Sequence, residues 1–191
     1  MPRQPIAAIT RLIGAGTREL MLDLLHEIAA EPGARAAAVD AEAVLRCFAH
    51  HYAATAGTAC RAYPEATRAL ERLRSAGVRL ACVTNKEERY SRSVLAACRM
   101  QGVFDLLVGG DTLAVKKPDA GVLEHVIATL GGARDATAHV GDSRTDVEAA
   151  RNAGVAAWAV PYGYNRGEPI ANAYPDRLFR DLGEVADHVL G

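Results

Sequence analysis

Residues 137–160, TAHVGDSRTDVEAARNAGVAAWAV, hold the pattern that decides the fold. Thr137–Val140 is a short, largely apolar run typical of a buried parallel strand, and Ala156–Val160 is another. The segment 145–153 between them predicts a helix, which Gly154 closes. A strand, a helix and a second strand at this spacing predict an α/β protein with a parallel sheet.

The same alternation extends back along the chain to Pro64, which can occupy the first turn of a helix that Gly77 ends. Two more strands are predicted at Val78–Val83 and Phe104–Val108, and three more helices near Ser91–Met100, Ala120–Leu130 and Leu182–Leu190. Together these elements predict a Rossmann-like, doubly wound parallel sheet over residues 61–191.

Residues 1–60 have a different pattern, which predicts only helices. A short apolar stretch at Ile6–Ile13 precedes Thr17, a predicted N-cap, and Pro32-Gly33 ends the helix that follows. Another helix is predicted from about Asp40 to Thr55. We therefore expect a small all-helical domain at 1–60 and an α/β domain at 61–191.

Composition and charge narrow the classes of function. Apolar residues make up 50% of the 191 residues, and the net charge of -1 gives no strong field for nucleic acid or anionic lipid. The longest wholly apolar run, Val155 to Pro161, is far shorter than a membrane span, and the first residues hold no apolar targeting segment. The expected location is the cytoplasm.

The four cysteines show no metal-ligand spacing and no C-x-x-C pair. We expect them to be buried small hydrophobic residues in a reducing compartment, and nothing in the spacing argues for disulfides. They are Cys47, Cys60, Cys82 and Cys98.

Polar residues follow three of the predicted strands, at the sheet edge where ligands bind in such folds. Thr84 and Asn85 follow the strand predicted at Val78–Val83, where a hydroxyl and backbone N–H groups can bind phosphate oxygens. Lys117, held by Pro118, can place a positive charge against a phosphoryl group. In isolation the Thr-Asn pair also fits a simple helix cap and the lysine a solvated turn, and Asp119 fits an N-cap.

Asp142 and Asp146 follow the strand ending at Val140 and stand four residues apart. Carboxylate oxygens at a strand end are the ligands that Mg²⁺ prefers. Asp142 is the predicted direct ligand, and Asp146 is predicted to hold a metal-bound water. Taken alone, Asp142 fits a helix cap equally well.

A threonine, a lysine and an acid pair in this order on successive strands resemble the haloacid dehalogenase superfamily. The branch that the chain most resembles is the phosphoglycolate phosphatases, and the helical domain is similar to part of that branch's cap. The likeness extends over nearly the whole chain and is carried by seven segments: 12–16, 63–64, 80–86, 109–112, 117–119, 141–151 and 161–164.

The resemblance implies Mg²⁺-dependent hydrolysis of a small phosphomonoester, with 2-phosphoglycolate as the family's expected substrate. In that family an aspartate forms an aspartyl-phosphate, which water cleaves with a second aspartate as acid and base. Lys117 and Thr84 would take the catalytic roles of stabilising phosphoryl charge, and Thr84, Asn85 and Lys117 would bind phosphate.

Both family aspartates belong to a first motif, D-x-D-G-T, and no D-x-D occurs in the 191 residues. No substitute is evident: Asp111 lies in a segment that the family does not use as nucleophile, His139 is predicted core, and His50-His51 have no partner. We expect these residues alone to be inactive and to represent a core without its first strand. Such a core would leave the strands ending at Thr84 and Val140 with unpaired edges. We therefore expect the isolated chain to be unstable, to swap or self-associate through those edges, or to close the gap by a strand pairing that the family does not use.

A second hypothesis is a non-catalytic relative that binds a phosphate compound or a protein partner. The DNA upstream of Met1 discriminates between the two, since an in-frame apolar strand ending in D-x-D-G-T would establish the first. Substrate choice is expected in the cap, where Arg11 and Arg18 are candidates to contact a substrate carboxylate, although both also fit ordinary surface arginines.

Overall fold

The computed structural model describes residues 4–30 and 40–191. Its first part is helical, as predicted, with α1 at Ile6–Thr10, α2 at Thr17–Ala30 and α3 at Ala41–Thr55. Asp40 caps α3, because its side chain accepts a hydrogen bond of 3.1 Å from the N–H of Ala43. The helix end predicted at Pro32-Gly33 lies outside the described residues.

Strands and helices alternate from residue 66 to the end of the chain. The helices are α4 (Ala66–Ser75), α5 (Glu88–Ala97), α6 (Ala120–Leu130), α7 (Arg144–Ala153) and α8 (Leu182–Leu190). The strands are β1 (Ala81–Val83), β2 (Leu106–Val108), β3 (Ala138–Gly141), β4 (Ala156–Ala159) and β5 (Arg177–Leu178). In the described part of the chain, no helix is long and apolar enough to cross a membrane.

Helices cover both faces of the parallel strands. Ala157 and Ala159 of β4 are fully buried in a core cluster with Val147 of α7. Trp158, between those two alanines, points to the opposite face and contacts His188 of α8 edge-on, with ring centroids 5.2 Å apart. This alternation confirms the predicted α/β fold with a doubly wound parallel sheet.

The strands of the described residues form two separate parallel sheets. One has the order β1-β2 and the other the order β3-β4-β5. β1 and β3 are therefore edge strands, and each is only partly buried. Val83 at the end of β1 nevertheless packs against the α7–β4 cluster, so the two open edges lie near each other. The unpaired edges are the ones expected from the sequence.

Two predicted helix starts were wrong. Gly16, not Thr17, is the N-cap of α2, since its carbonyl accepts the N–H of Leu20 at 3.1 Å. The Thr17 hydroxyl instead donates to the carboxylate of Glu87 at 2.6 Å, a distant partner that local sequence does not reveal. Pro64 lies before α4 rather than in its first turn, because Glu65 takes a left-handed conformation as the N-cap.

Candidate active site

The ends of β1 and β3 bring together side chains that the sequence predicted to meet. Lys117, only 9% exposed, lies between the two sheets. Its ammonium donates to the carbonyl of Val83 at 2.8 Å and to Asp146 Oδ1 at 2.6 Å. Two of its three N–H groups are thus used within the described residues, and the third is free to meet a ligand.

Asp146 is a buried hydrogen-bond acceptor in the first turn of α7. Oδ1 contacts Lys117, and Oδ2 accepts bonds from the hydroxyl of Ser143 at 2.6 Å and its backbone N–H at 3.1 Å. Gly141 permits this close approach, because a Cβ there would lie 2.1 Å from the Asp146 Cβ. The metal-bound water predicted for Asp146 stays a prediction, and these contacts favour a role as counter-ion to Lys117.

His139 joins the same cluster, which the sequence analysis missed. It lies in β3 with 11% of its side chain exposed, so it is partly rather than fully buried, and its Nε2 is 3.1 Å from Asp146 Oδ1. Sequence does not distinguish a histidine that only packs in the core from one that is hydrogen-bonded to a carboxylate. The only available signal is that His139 lies two residues before Gly141 and so on the same strand face.

Electrostatics keep this cluster in one charge state. Burial opposes ionisation of Asp146, but the charge of Lys117 and the bond from His139 outweigh it and hold the pKa of Asp146 well below its ordinary value. Burial lowers the pKa of His139, so the imidazole is neutral and donates its Nε2–H to the carboxylate. These pKa shifts favour an ionised Asp146 beside a neutral His139.

Asp142 follows β3 and faces the loop after β4. Its Oδ2 accepts a 2.6 Å bond from the N–H of Tyr164. Gly163 allows this contact: its φ is +117°, and a Cβ there would lie 1.9 Å from that oxygen. Burial raises the pKa of Asp142. Its other oxygen, Oδ1, has no hydrogen-bond partner among the described residues.

Thr84 and Asn85 lie at the end of β1, beside the helical part. Asn85 is buried and donates from Nδ2 to the carbonyls of Lys117 at 2.9 Å and Gly14 at 3.2 Å. Its Oδ1 has no partner among the described residues. Thr84 Oγ1 accepts the N–H of Lys86 at 3.2 Å, and its own hydroxyl proton remains available. Asn85 thus joins the lysine loop to the segment before α2.

The remaining sequence candidates lie outside this cluster. Asp119 is the N-cap of α6, as expected, and Asp111 accepts the N–H of Glu88 at the start of α5. Arg11 and Arg18 are exposed and paired with Glu27 and Glu42. The expectation of four buried cysteines was wrong, because Cys47 is exposed and the other three are partly accessible.

The sequence is similar to those of known proteins. The family model "Haloacid dehalogenase-like hydrolase" matches residues 3–160. A phosphoglycolate phosphatase of Thiobacillus denitrificans is 33% identical over 97% of this chain and 80% of its own length. One from Pseudomonas syringae pv. syringae is 42% identical over 64% of this chain, a match that spans only 45% of that relative.

Solved structures have the same fold. The crystal structure of a predicted phosphoglycolate phosphatase from Haemophilus somnus superposes with a TM-score of 0.92 at 27% identity. The match covers 98% of this chain and 84% of that one. The chain belongs to the haloacid dehalogenase-like hydrolase family.

Proposed function

We propose that this chain belongs to a Mg²⁺-dependent phosphomonoesterase of the phosphoglycolate phosphatase type. The observation that carries the proposal is Lys117, a buried ammonium fixed by Val83 and Asp146 with one N–H unused. A fixed cation in a site of low water content stabilises charge on a transferring phosphoryl group better than a mobile one. The named relatives are phosphatases for phosphoglycolate, which makes that compound the first substrate to test.

Each residue has a defined part in this proposal. Lys117 and the hydroxyl of Thr84 bind and neutralise phosphoryl oxygens. Asn85 holds the Lys117 loop through its 2.9 Å bond and presents a free Oδ1 to a hydroxyl donor. Asp146 and His139 keep the ammonium in place.

The residues present supply one ligand of a magnesium site. Asp142 Oδ1 is a carboxylate oxygen without a protein partner among the described residues, and Mg²⁺ binds through one or two carboxylates, water and phosphate. No cluster of three or more potential ligands occurs in residues 4–30 and 40–191, so Asp142 would be a single ligand. Bound Mg²⁺ would polarise the phosphoryl group.

We further propose that residues 1–191 alone are inactive, because the 191 residues contain no D-x-D to supply the nucleophile and the acid/base for an aspartyl-phosphate route. The domain division at residues 60 and 61, self-association through the open edges of β1 and β3, and a cytoplasmic location belong to the same proposal. A non-catalytic phosphate-binding or partner-binding protein is the alternative.

The test compares the chain with a chimera in which an apolar strand ending in D-x-D-G-T precedes residue 1. We expect Mg²⁺-dependent phosphate release from 2-phosphoglycolate by the chimera and none by residues 1–191. Asp142→Asn and Thr84→Val in the chimera should each lower kcat by about 10²-fold. A folded chimera without turnover would support the alternative, and turnover by residues 1–191 that Asp142→Asn abolishes would overturn the proposed inactivity.

A further inference from the structure

Two cysteines far apart in sequence lie side by side at the surface of the core. Cys60 and Cys98 are 38 positions apart, and their Sγ atoms are 3.6 Å from each other. Cys60 lies in the linker between α3 and α4, and Cys98 is the residue that ends α5. The pair thus joins the chain segment leaving the helical part to a helix of the α/β part.

The linker already contacts α5 at Cys60. The Cys60 thiol lies 3.2 Å from the carbonyl of Gly57 and 3.7 Å from that of Val94 in α5. A disulfide needs the sulfurs to close from their present contact to about 2.05 Å. Because Cys60 belongs to an irregular segment rather than a helix or strand, that movement displaces no regular hydrogen bonding.

The other two cysteines lie within a helix and a strand. Cys82 lies inside β1, where burial raises the pKa of its thiol, and Cys47 is exposed on α3. Cys60 and Cys98 are partly accessible, as Cys82 is, so a small reagent can reach them; what sets the pair apart is the contact between their Sγ atoms. Partial burial and the neighbouring thiol of Cys60 raise the pKa of Cys98, which slows the first attack but does not prevent ring closure.

We infer that Cys60 and Cys98 form a dithiol site that small disulfide compounds of the glutathione class oxidise to an intramolecular disulfide. This goes beyond the proposed hydrolysis and does not depend on it. The folded state favours the disulfide because it holds the two thiols in contact, so the effective concentration of the second thiol at the first is high.

The chemistry balances in two exchange steps. One thiolate attacks a sulfur of the oxidised reagent, the reagent's S–S bond breaks, and one reagent thiol leaves. The second cysteine then attacks the protein sulfur of the mixed disulfide and releases the other reagent thiol. The protein loses two electrons and two protons, and one reagent disulfide becomes two thiols.

The bond would fix the linker that leads from α3 into α4. Tyr52 and Ala49 of α3 already contact the 86–90 region, through bonds to Lys86 (2.6 Å) and Tyr90 (3.3 Å). A covalent link at Cys60 would add a fixed point after the end of α3. Oxidation is therefore expected to restrict opening of the helical part relative to α5.

The experiment uses the 191-residue chain in buffers of reduced and oxidised glutathione, followed by alkylation in denaturant and peptide mapping by mass spectrometry. Oxidation should yield one cross-linked peptide pair containing Cys60 and Cys98, whereas the Cys47 and Cys82 peptides should appear either alkylated or carrying one glutathione each. Limited proteolysis within residues 56–65 should slow by at least about fivefold on oxidation.

Matched serine variants decide the assignment. Cys60→Ser and Cys98→Ser should each abolish the cross-link, whereas Cys47→Ser and Cys82→Ser should retain it. A folded wild-type chain that keeps all four thiols in fully oxidised glutathione, or that links a different pair, would overturn the site. An unchanged proteolysis rate in the cross-linked protein would overturn the restriction of the linker. Since no step measures phosphate release, these outcomes are independent of the proposed hydrolase activity.

Discussion

Asp146 balances a buried ammonium, so its removal leaves Lys117 without a counter-ion. Asp146→Asn keeps the size of the side chain and removes its charge. We expect the free energy of unfolding at neutral pH to fall by about 3 kcal/mol or more. Urea denaturation measures this, with Asp142→Asn as control, for which a change under about 1 kcal/mol is expected because its charge has no buried partner. Equal losses in the two variants would contradict the assignment.

The same residue predicts a pH dependence. The folded-state pKa of Asp146 is lowered by Lys117, so its ionised form stabilises the fold at pH above its ordinary pKa of about 4. That stabilisation is lost as the pH falls from there towards the folded-state pKa. The difference in unfolding free energy between wild type and Asp146→Asn should therefore shrink progressively on acidification. A difference that stays constant would show that Asp146 acts by packing alone.

Gly163 makes room for Asp142, and a neighbouring glycine provides the control. Gly163→Ala places a Cβ against Asp142 Oδ2, whereas Gly167, also at positive φ (+83°), has nothing within 4 Å of a built Cβ. Both changes strain the backbone, but only the first displaces a carboxylate. We expect Gly163→Ala to cost at least about 1 kcal/mol more than Gly167→Ala. The shift of the Asp142 carboxyl resonance should change in the first variant only.

At the scale of elements, Tyr52 makes two of the contacts that attach α3 to the α/β part. The Tyr52 hydroxyl accepts from Lys86 at 2.6 Å, and its ring packs edge-on against Tyr90 at 4.7 Å. Tyr52→Phe should lower stability by about 1 kcal/mol through the lost bond, and Tyr52→Ala by about 2–3 kcal/mol through the lost ring contacts as well.

Hydrogen exchange resolves that effect by element. Amides of α3 should exchange faster in both Tyr52 variants, while those of α7 remain unchanged. His51→Ala, an exposed neighbour on the same helix, should leave α3 as protected as in wild type. If α7 and α3 lose protection together, α3 is an integral part of one cooperative unit.

Elements with strong local signals were predictable from sequence alone. Helices α6 and α8 begin and end at the predicted residues, because apolar spacing, the Asp119 cap and Gly131 all agree. The start of α2 was not predictable, because the Thr17 hydroxyl donates to Glu87, 70 positions away, instead of capping α2. The short strand β5 was missed, because Arg177 and Leu178 are exposed and carry no alternating pattern.

The positions of the site residues were predictable from the sequence, but the hydrogen bonds between their side chains were not. Thr84, Lys117 and Asp142 stand where parallel strands end, and that topology alone brings them near one another. The bonds from His139 and Lys117 to Asp146, and the contact of Cys60 with Cys98, depend on side-chain directions across elements. Residue spacing along one chain does not encode those directions.

For the molecule as a whole, the open edges of β1 and β3 predict association. Thr84 N–H and Leu80 C=O bond to the β2 side, so the amides of Ala81 and Val83 point to the open edge. Likewise, Thr137 and Gly141 bond towards β4, so Val140 faces the other way. We expect the sedimentation mass of the chain to rise with concentration, since unpaired edges pair readily.

Amide exchange identifies the surface involved. The amides of Val83 and Val140 should become more protected as concentration rises, while those of Cys82 and His139, which face paired strands, should not change. A monomer at every concentration, with a single cooperative melt, would contradict association through the edges.

The position of Trp158 has an optical consequence. It is the chain's single tryptophan, and its ring meets Phe179 and His188 with centroids 5.3 and 5.2 Å away, on the face of β4 that α8 covers. Its fluorescence therefore reports on one face of the β3-β4-β5 sheet, whereas far-ultraviolet ellipticity averages over all the helices. If α1 to α3 unfold before the α/β part, a denaturant titration recorded in both signals would show a fall in ellipticity at constant emission.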